Sequence, residues 1–180
     1  MASEPTDEVL MQRVARGDQR ALEALCARWQ RRLHGLLWRQ TAGRDVEDLY
    51  QETWLRVVRA ADRFDPQRRF STWLHQIALN LCRDWRRRPP EEPVDPDRIR
   101  LVAPDATAAT SAAVDVERLL AALPEAQRSV VALRLQQDLS EAQVAEILGI
   151  PRGTVKSRLH EALRRLAALA RGEQEVTRDL

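Results

Sequence analysis

Ser140-Glu141-Ala142-Gln143-Val144-Ala145-Glu146-Ile147-Leu148-Gly149-Ile150-Pro151-Arg152-Gly153-Thr154-Val155-Lys156-Ser157-Arg158-Leu159 carries the punctuation of two helices and the turn between them. Ser140 and Gln143 have the spacing of a capping box, in which the hydroxyl accepts from the Gln143 amide and the Gln side chain reaches back. The helix this predicts runs to Leu148. Gly149 closes it, because a residue without a Cβ enters the left-handed conformation at little cost. Pro151 suits the first turn of the next helix, where its missing N–H has no intrahelical partner to lose. On that second helix Val155, Leu159, Leu163 and Leu166 are expected to face inward onto Val144, Ile147 and Leu148. Arg152, Thr154, Lys156, Ser157, His160 and Glu161 remain on the opposite face. This is the helix-turn-helix arrangement, whose second helix lies in the DNA major groove. Arg152, Lys156 and Arg158 suit phosphates or guanine edges, and Thr154 and Ser157 suit phosphates or mixed base contacts. Glu161 either accepts from a cytosine amino group or pairs with a neighbouring arginine.

Working outward, Val116, Leu119, Leu120 and Leu123 form an apolar set. Pro124 opens a further helix, and Val130, Val131, Leu133 and Leu135 continue it. The helix-turn-helix therefore completes a small four-helix domain over residues 113–171, and residues 172–180 read as a polar tail. Residues 89–112 hold five of the nine prolines, with acids, Ala and Thr between them, which is the composition of a linker. Residues 1–88 are helical almost throughout, with breaks at Gly17-Asp18, Thr41-Ala42-Gly43 and Phe64-Asp65-Pro66, so about four helices are expected there. In the third, Val46, Leu49, Tyr50, Thr53, Trp54, Val57 and Val58 make one buried stripe, with Asp45, Asp48, Gln51, Glu52 and Leu55 outside it. The fourth repeats the pattern with Trp73, Leu74, Ile77, Ala78, Leu81 and Trp85, then ends in arginines before Pro89-Pro90. The fold class expected is all-α: two small helical domains on a flexible linker, the second containing the helix-turn-helix.

At 180 residues, with 44% hydrophobic and 31% charged residues, the chain has the composition of a soluble globular protein with two modest cores. No apolar run approaches the roughly 18 residues that span a bilayer, and the N-terminus is acidic where a signal peptide is basic and then apolar, so a cytoplasmic protein is expected. Cys26, Cys82, His34, His75 and His160 are scattered without metal-ligand spacing and read as core or surface, with buried free thiols the better assignment. No metal, no cofactor and no catalytic set is expected. A net charge of +2 says little, but its distribution does. Arg83, Arg86, Arg87 and Arg88 crowd one stretch, and Arg152, Lys156, Arg158, Arg164 and Arg165 crowd another. Acids gather from Asp45 to Glu52 and from Glu91 to Asp105.

Two groups of motifs resemble the extracytoplasmic-function group of sigma factors. The first is Asp45-Val46-Glu47-Asp48-Leu49-Tyr50-Gln51-Glu52-Thr53-Trp54-Leu55-Arg56, then Arg63-Phe64-Asp65-Pro66 and Phe70-Ser71-Thr72-Trp73-Leu74-His75-Gln76-Ile77-Ala78-Leu79-Asn80. The second is Leu123-Pro124-Glu125, then Leu139-Ser140 and Ile147 to Leu159. In order and spacing they cover nearly the whole chain outside the linker and tails. The resemblance implies a protein that binds core RNA polymerase and directs it to promoters, under the control of an anti-sigma factor. It implies that Asp48, Gln51 and Glu52, with Leu55 at the edge, dock on the clamp helices of the polymerase largest subunit, and that the second domain meets the flap of the second largest subunit. It assigns the unpaired minus-ten strand to Phe64, Arg68, Arg69, Phe70, Ser71, Thr72, Trp73, Asn80, Arg83 and Arg87. It assigns the minus-thirty-five element to Arg152, Thr154, Lys156, Ser157, Arg158, His160 and Glu161. Extruding a base costs a few kcal/mol, which stacking and polar edge contacts repay. Phe64, Phe70 and Trp73 stay ambiguous between core and base platform, and the loop positions and Asn80 are the stronger candidates. Primary sigma factors carry adjacent aromatics where Trp73 is here followed by Leu74, which implies weaker melting and stricter promoter choice.

A linker of about 24 residues reaches at most roughly 80 Å at about 3.3 Å per residue, enough to bridge elements ~70 Å apart on DNA. Three rivals share parts of the pattern. An operator-binding regulator needs no polymerase docking face, so residues 1–88 argue against it. A recombinase needs a nucleophile, and the only tyrosine, Tyr50, lies on the buried stripe. A helical adaptor with no DNA role is told apart by whether changing Lys156 and Arg158 abolishes DNA binding.

Overall fold

The computed structural model describes residues 4–87, 116 and 118–178, and every regular element among them is helical. The chain divides into two compact units, Met1–Arg98 and Ile99–Leu180. The linker expected at residues 89–112 lies outside the described residues.

The first unit contains α1 (Asp7–Val14), α2 (Gln19–Thr41), α3 (Val46–Arg59), a short 3-10 turn (Ala61–Arg63) and α4 (Phe70–Arg87). Local chemistry starts and stops these helices. Thr6 accepts from the Val9 amide at the start of α1, where Asp7 and Glu8 complement the helix dipole. Asp18 caps α2 by accepting from Ala21 N at 3.1 Å and is itself held by Arg13 at 2.7 Å. Past α2 the chain turns through Ala42 and Gly43, both at positive φ. Gly43 is required there twice over, because a Cβ would also meet the Trp38 ring at 2.7 Å.

Helix α4 packs against α1, α2 and α3, and this central place explains why its buried surface is wider than a single stripe. Phe70, Leu74, Ala78 and Leu81 are buried as one row, and Thr72, His75, Leu79 and Cys82 are buried beside them. Trp73, Ile77 and Trp85, expected on the apolar stripe, are only half-buried. In α3 the core takes Leu49, Thr53, Trp54 and Val57, but Val58 is 44% exposed. At about 100° per residue Val58 lies beyond the edge that Trp54 sets, so it belongs to the outer face.

An aromatic cluster joins three segments of this unit. Phe70 has no solvent exposure, and its ring meets Trp29 of α2 edge-on at 6.1 Å and Phe64 at 6.0 Å. Trp73 packs on Phe64 at 5.1 Å, and His75 meets Trp29 at 5.7 Å while its Nδ1 lies 2.6 Å from the Ser71 carbonyl. At its far end α4 is tied to the α2–α3 turn. Trp85 Nε1 donates to Asp45 at 2.7 Å, Arg44 lies over the Trp85 ring, and Arg86 donates to the Gln40 carbonyl at 2.9 Å.

The second unit contains α5 (Glu125–Val131), a π-helical turn (Ala132–Gln136), α6 (Glu141–Leu148) and α7 (Arg152–Arg178), with residues 118–121 also helical. Leu120, Leu123, Val131 and Ala162 form a core cluster with Leu159 and Leu166 against it. Val130, Leu133, Val144 and Val155 are fully buried as well. Val116, Leu135 and Leu163, expected inside, are 51%, 54% and 45% exposed. For Leu163 the reason is angular: Ala162, Val155, Leu166 and Leu159 occupy a narrow arc of α7, and Leu163 lies past its edge. Helix α7 also continues to Arg178, where the sequence reads as a polar tail from Gly172. Its alanines, glutamates and arginines are good helix formers, and one interior glycine costs only about 1 kcal/mol.

Phe70→Ala is expected to destabilise the first unit by about 3–5 kcal/mol, because the ring fills a site enclosed on all sides. Urea denaturation followed by tryptophan fluorescence measures it, and a loss below 1 kcal/mol would mean that the cluster does not hold this unit together.

Candidate nucleic-acid interface

Three surfaces stand out, two on the first unit and one on the second. The outer face of α3 presents Asp48, Gln51 and Leu55, all exposed, with Glu52 half-buried. Glu52 is engaged by Arg56 at 3.1 Å, and Arg56 also reaches Asp84 of α4 at 3.7 Å. Val58 joins this face at helical spacing from Leu55, giving two exposed aliphatics beside two acidic positions. Its exposure was not legible in sequence, because it continues an apolar pattern.

The second surface is the loop before α4 together with the outer face of that helix. Asp65 accepts from Gln67 N at 2.9 Å, and its carbonyl accepts from Arg68 N at 3.0 Å. Asp at the first turn position and Pro66 at the second favour this tight turn, so Asp65–Arg69 is an ordered, exposed loop. Phe64 and Phe70 flank it and are buried. They anchor the loop and do not line a surface. Thr72 is 2% exposed and is likewise unable to meet a ligand in this conformation. Arg68 and Arg69 are exposed and Ser71 half-buried. Farther along, Trp73, Asn80, Arg83 and Arg87 share one outward arc of α4, and Gln76, which the sequence reading missed, lies between them at the same helical phase. Arg83 donates to Asn80 Oδ1 at 2.8 Å, which orders both side chains.

The third surface is the start of α7. Ser140 and Gln143 make the reciprocal capping box at 2.9 and 3.3 Å, and Gly149 closes α6 at φ +65°. Pro151 then serves as the cap, its carbonyl accepting from Thr154 N and Val155 N at 2.9 and 3.1 Å, so α7 starts one residue later than Pro151. The seven candidate residues do not share one face. Arg152, Lys156, Ser157 and His160 are exposed together, with Gly153 opening the surface between them. Thr154 and Arg158 are half-buried. Glu161 is turned toward α5, where Gln127 Nε2 donates to it at 3.2 Å. That contact meets the carboxylate's need for a donor in a way that neither sequence alternative anticipated.

Neither cysteine adds a reactive site. Cys82 is fully buried, and burial pushes the half-buried Cys26 thiol up to about 11, far from the thiolate a nucleophile requires. Among the described residues no helix is long and apolar enough to cross a membrane.

A helix-turn-helix in one unit and an ordered basic loop and helix face in the other define a DNA-binding transcription protein. Comparison with known proteins gives the family. The Sigma-70 region 2 family matches residues 25–89 and the Sigma-70 region 4 family matches residues 113–166. The chain is 32% identical to the ECF RNA polymerase sigma-E factor of Haemophilus influenzae over 90% of this chain and 94% of that protein. It is 33% identical to the Escherichia coli sigma-E factor over 90% and 93%. CnrH, solved in complex with the cytosolic domain of CnrY, superposes with a TM-score of 0.73 at 29% identity, covering 92% of this chain and 97% of that one. The chain belongs to the extracytoplasmic-function sigma factors, which direct RNA polymerase to promoters.

Gly149→Ala is expected to cost the second unit about 1–2 kcal/mol. Nothing lies within 4 Å of the position a Cβ would take, so the loss reports left-handed strain alone. Urea unfolding of this unit measures it, and an unchanged midpoint would show that the turn relaxes.

Proposed function

We propose that the two units divide promoter recognition and polymerase docking as follows. Asp48, Gln51, Leu55 and Val58 of α3 dock on the clamp helices of the polymerase largest subunit, with Glu52 exchanging its Arg56 partner for the polymerase. The loop residues Arg68, Arg69 and Ser71, with Trp73, Gln76, Asn80, Arg83 and Arg87 of α4, take the minus-ten element, and Phe64, Phe70 and Thr72 hold that surface from beneath. Arg152, Lys156, Ser157 and His160 enter the major groove at the minus-thirty-five element while the second unit rests on the flap of the second largest subunit. The observation that carries this reading is the placement of an acidic-aliphatic face on α3 and a basic face on α4 within one compact unit. Docking on polymerase then delivers the basic face to DNA.

The domain division is residues 1–88, a linker at 89–112 and a second domain from 113. The matched segments, which end at 89 and resume at 113, support it. Holding both units on one polymerase makes the second DNA contact intramolecular, so weak modules bind well together. The protein acts in the cytoplasm, where the polymerase and its template are, and contributes binding while the polymerase supplies the chemistry. Its regulator is an anti-sigma polypeptide that covers these docking faces. The likeness to CnrH, which is bound by the cytosolic domain of CnrY, supports such a partner.

Run-off transcription by bacterial core polymerase on pooled genomic fragments tests the whole. Specific transcripts are expected only when the protein is added, whereas tight DNA binding without transcripts would identify an operator-binding regulator. Asp48→Arg is expected to abolish polymerase binding in a pull-down while leaving DNA binding by the second unit intact, and unchanged affinity for core would sink the α3 assignment. Lys156→Ala is expected to weaken promoter binding and to flatten its dependence on log salt by about one unit of slope. Equal affinity across a salt titration would remove Lys156 from the interface.

A further inference from the structure

Helix α4 begins without a cap of its own. The residue before Phe70 is Arg69, whose side chain has donors only and has no acceptor to offer the first amides of the helix. The acceptor comes instead from α1, where Glu8 Oε1 accepts from Phe70 N at 3.0 Å across 62 positions of sequence. Burial raises the Glu8 carboxyl, but the Phe70 amide, its own amide, Thr6 and the charge of Arg69 outweigh it and hold the group below its ordinary value. Helix α1 is fixed in turn by Asp7, which receives Arg28 Nη1 at 2.5 Å and Trp29 Nε1 at 2.9 Å. Trp29 packs on the Phe70 ring. Helix α1 thus reaches Phe70 both through its ring and through its amide. Between α1 and the loop lies an open cleft of about 620 Å³ that Glu8 and Gln12 share with Gln67, Arg68, Arg69 and Ser71.

We propose that Glu8 is a positioning residue for capture of the unpaired promoter strand: from α1 it caps α4 and sets the loop Arg68–Ser71 in its DNA-reading conformation. The inference rests on the assignment of that loop to the minus-ten element. It makes a prediction opposite in sign to simple electrostatics. Glu8 is a negative charge beside a surface that binds phosphates, so if charge alone mattered its removal would tighten DNA binding. As a cap, its removal loosens the loop and weakens binding, and an uncharged acceptor in its place restores the wild-type state.

The test uses the full chain assembled with core polymerase and a fluorescein-labelled promoter fragment recovered from the run-off assay, with its minus-ten non-template strand left unpaired. Affinity is measured by anisotropy for the wild type, Glu8→Ala, Glu8→Gln, Arg69→Ala and Asp18→Ala. The last removes the cap of α2 in the same unit and controls for general loss of stability. Glu8→Ala is expected to bind roughly threefold to tenfold more weakly, with faster amide exchange at Phe70. Glu8→Gln and Asp18→Ala are expected to bind like the wild type. Wild-type or tighter binding by Glu8→Ala, an equal loss in Glu8→Gln, or an equal loss in Asp18→Ala would each overturn the proposal. If Arg69→Ala also binds like the wild type, the assignment of the loop itself fails and takes the proposal with it.

Discussion

Phe70 is the residue through which the first unit is held together, because its ring and its amide satisfy two different demands at one point. The ring must leave water, and it does so among Trp29, Phe64 and Trp73. The amide opens a helix and must find an acceptor, which a preceding arginine does not supply and Glu8 does. A side chain from the second helix, an aromatic from the loop and a carboxylate from the first helix therefore converge on the first residue of the fourth. The loop between Phe64 and Phe70 is pinned at both ends by buried rings, so its exposed arginines are displayed from an anchored base. A loop held in this way has less freedom left to lose than an unanchored loop of the same length.

The same unit separates its charges by helix face. The outer face of α3 combines acids with exposed aliphatics, and the outer arc of α4 carries arginines with amide side chains. Arg56 stands between them, bound to Glu52 and within reach of Asp84. Exposed pairs of this kind contribute little to stability, and here they link an acid of each helix to one arginine. In the second unit, Gln127 similarly holds Glu161 away from the exposed start of α7. The exposed start of α7 is left with Arg152, Lys156, Ser157 and His160, and the Glu161 carboxylate is met by a donor on a neighbouring helix.

Much of this was legible in the sequence. The capping box, Gly149, Pro151 and the breaks at Gly17, Gly43 and Pro66 are local signals, dictated by backbone sterics and hydrogen-bond valence within a few residues, and each falls in a cap or turn of the structure, although the break around Pro66 is wider than expected, with α3 ending at Arg59 and α4 beginning at Phe70. The helical character of both units and the motif pattern of the sigma family followed from the same local order. The buried faces were read less well at their margins. Val58, Leu135 and Leu163 continue an apolar rhythm yet lie exposed, and Thr72 and Ala162 are buried though neither is large or strongly apolar. Periodicity fixes the direction of a face but not its width, which depends on how many neighbours a helix has.

What the sequence by itself determined is where most helices begin and end, which side of each is apolar, and that basic stretches alternate with acidic ones along the chain. These are properties of residues within a turn or two of each other. What only the tertiary structure decided is which residues meet across long separations: Glu8 with the Phe70 amide, Trp85 with Asp45, Gln127 with Glu161. It also decided that Phe64 and Phe70 are anchors and that the loop between them is the exposed surface. The physical reason is that a hydrogen-bond donor or an aromatic ring specifies the kind of partner it needs but not where along the chain that partner lies. Only the packing of the helices within each unit selects it.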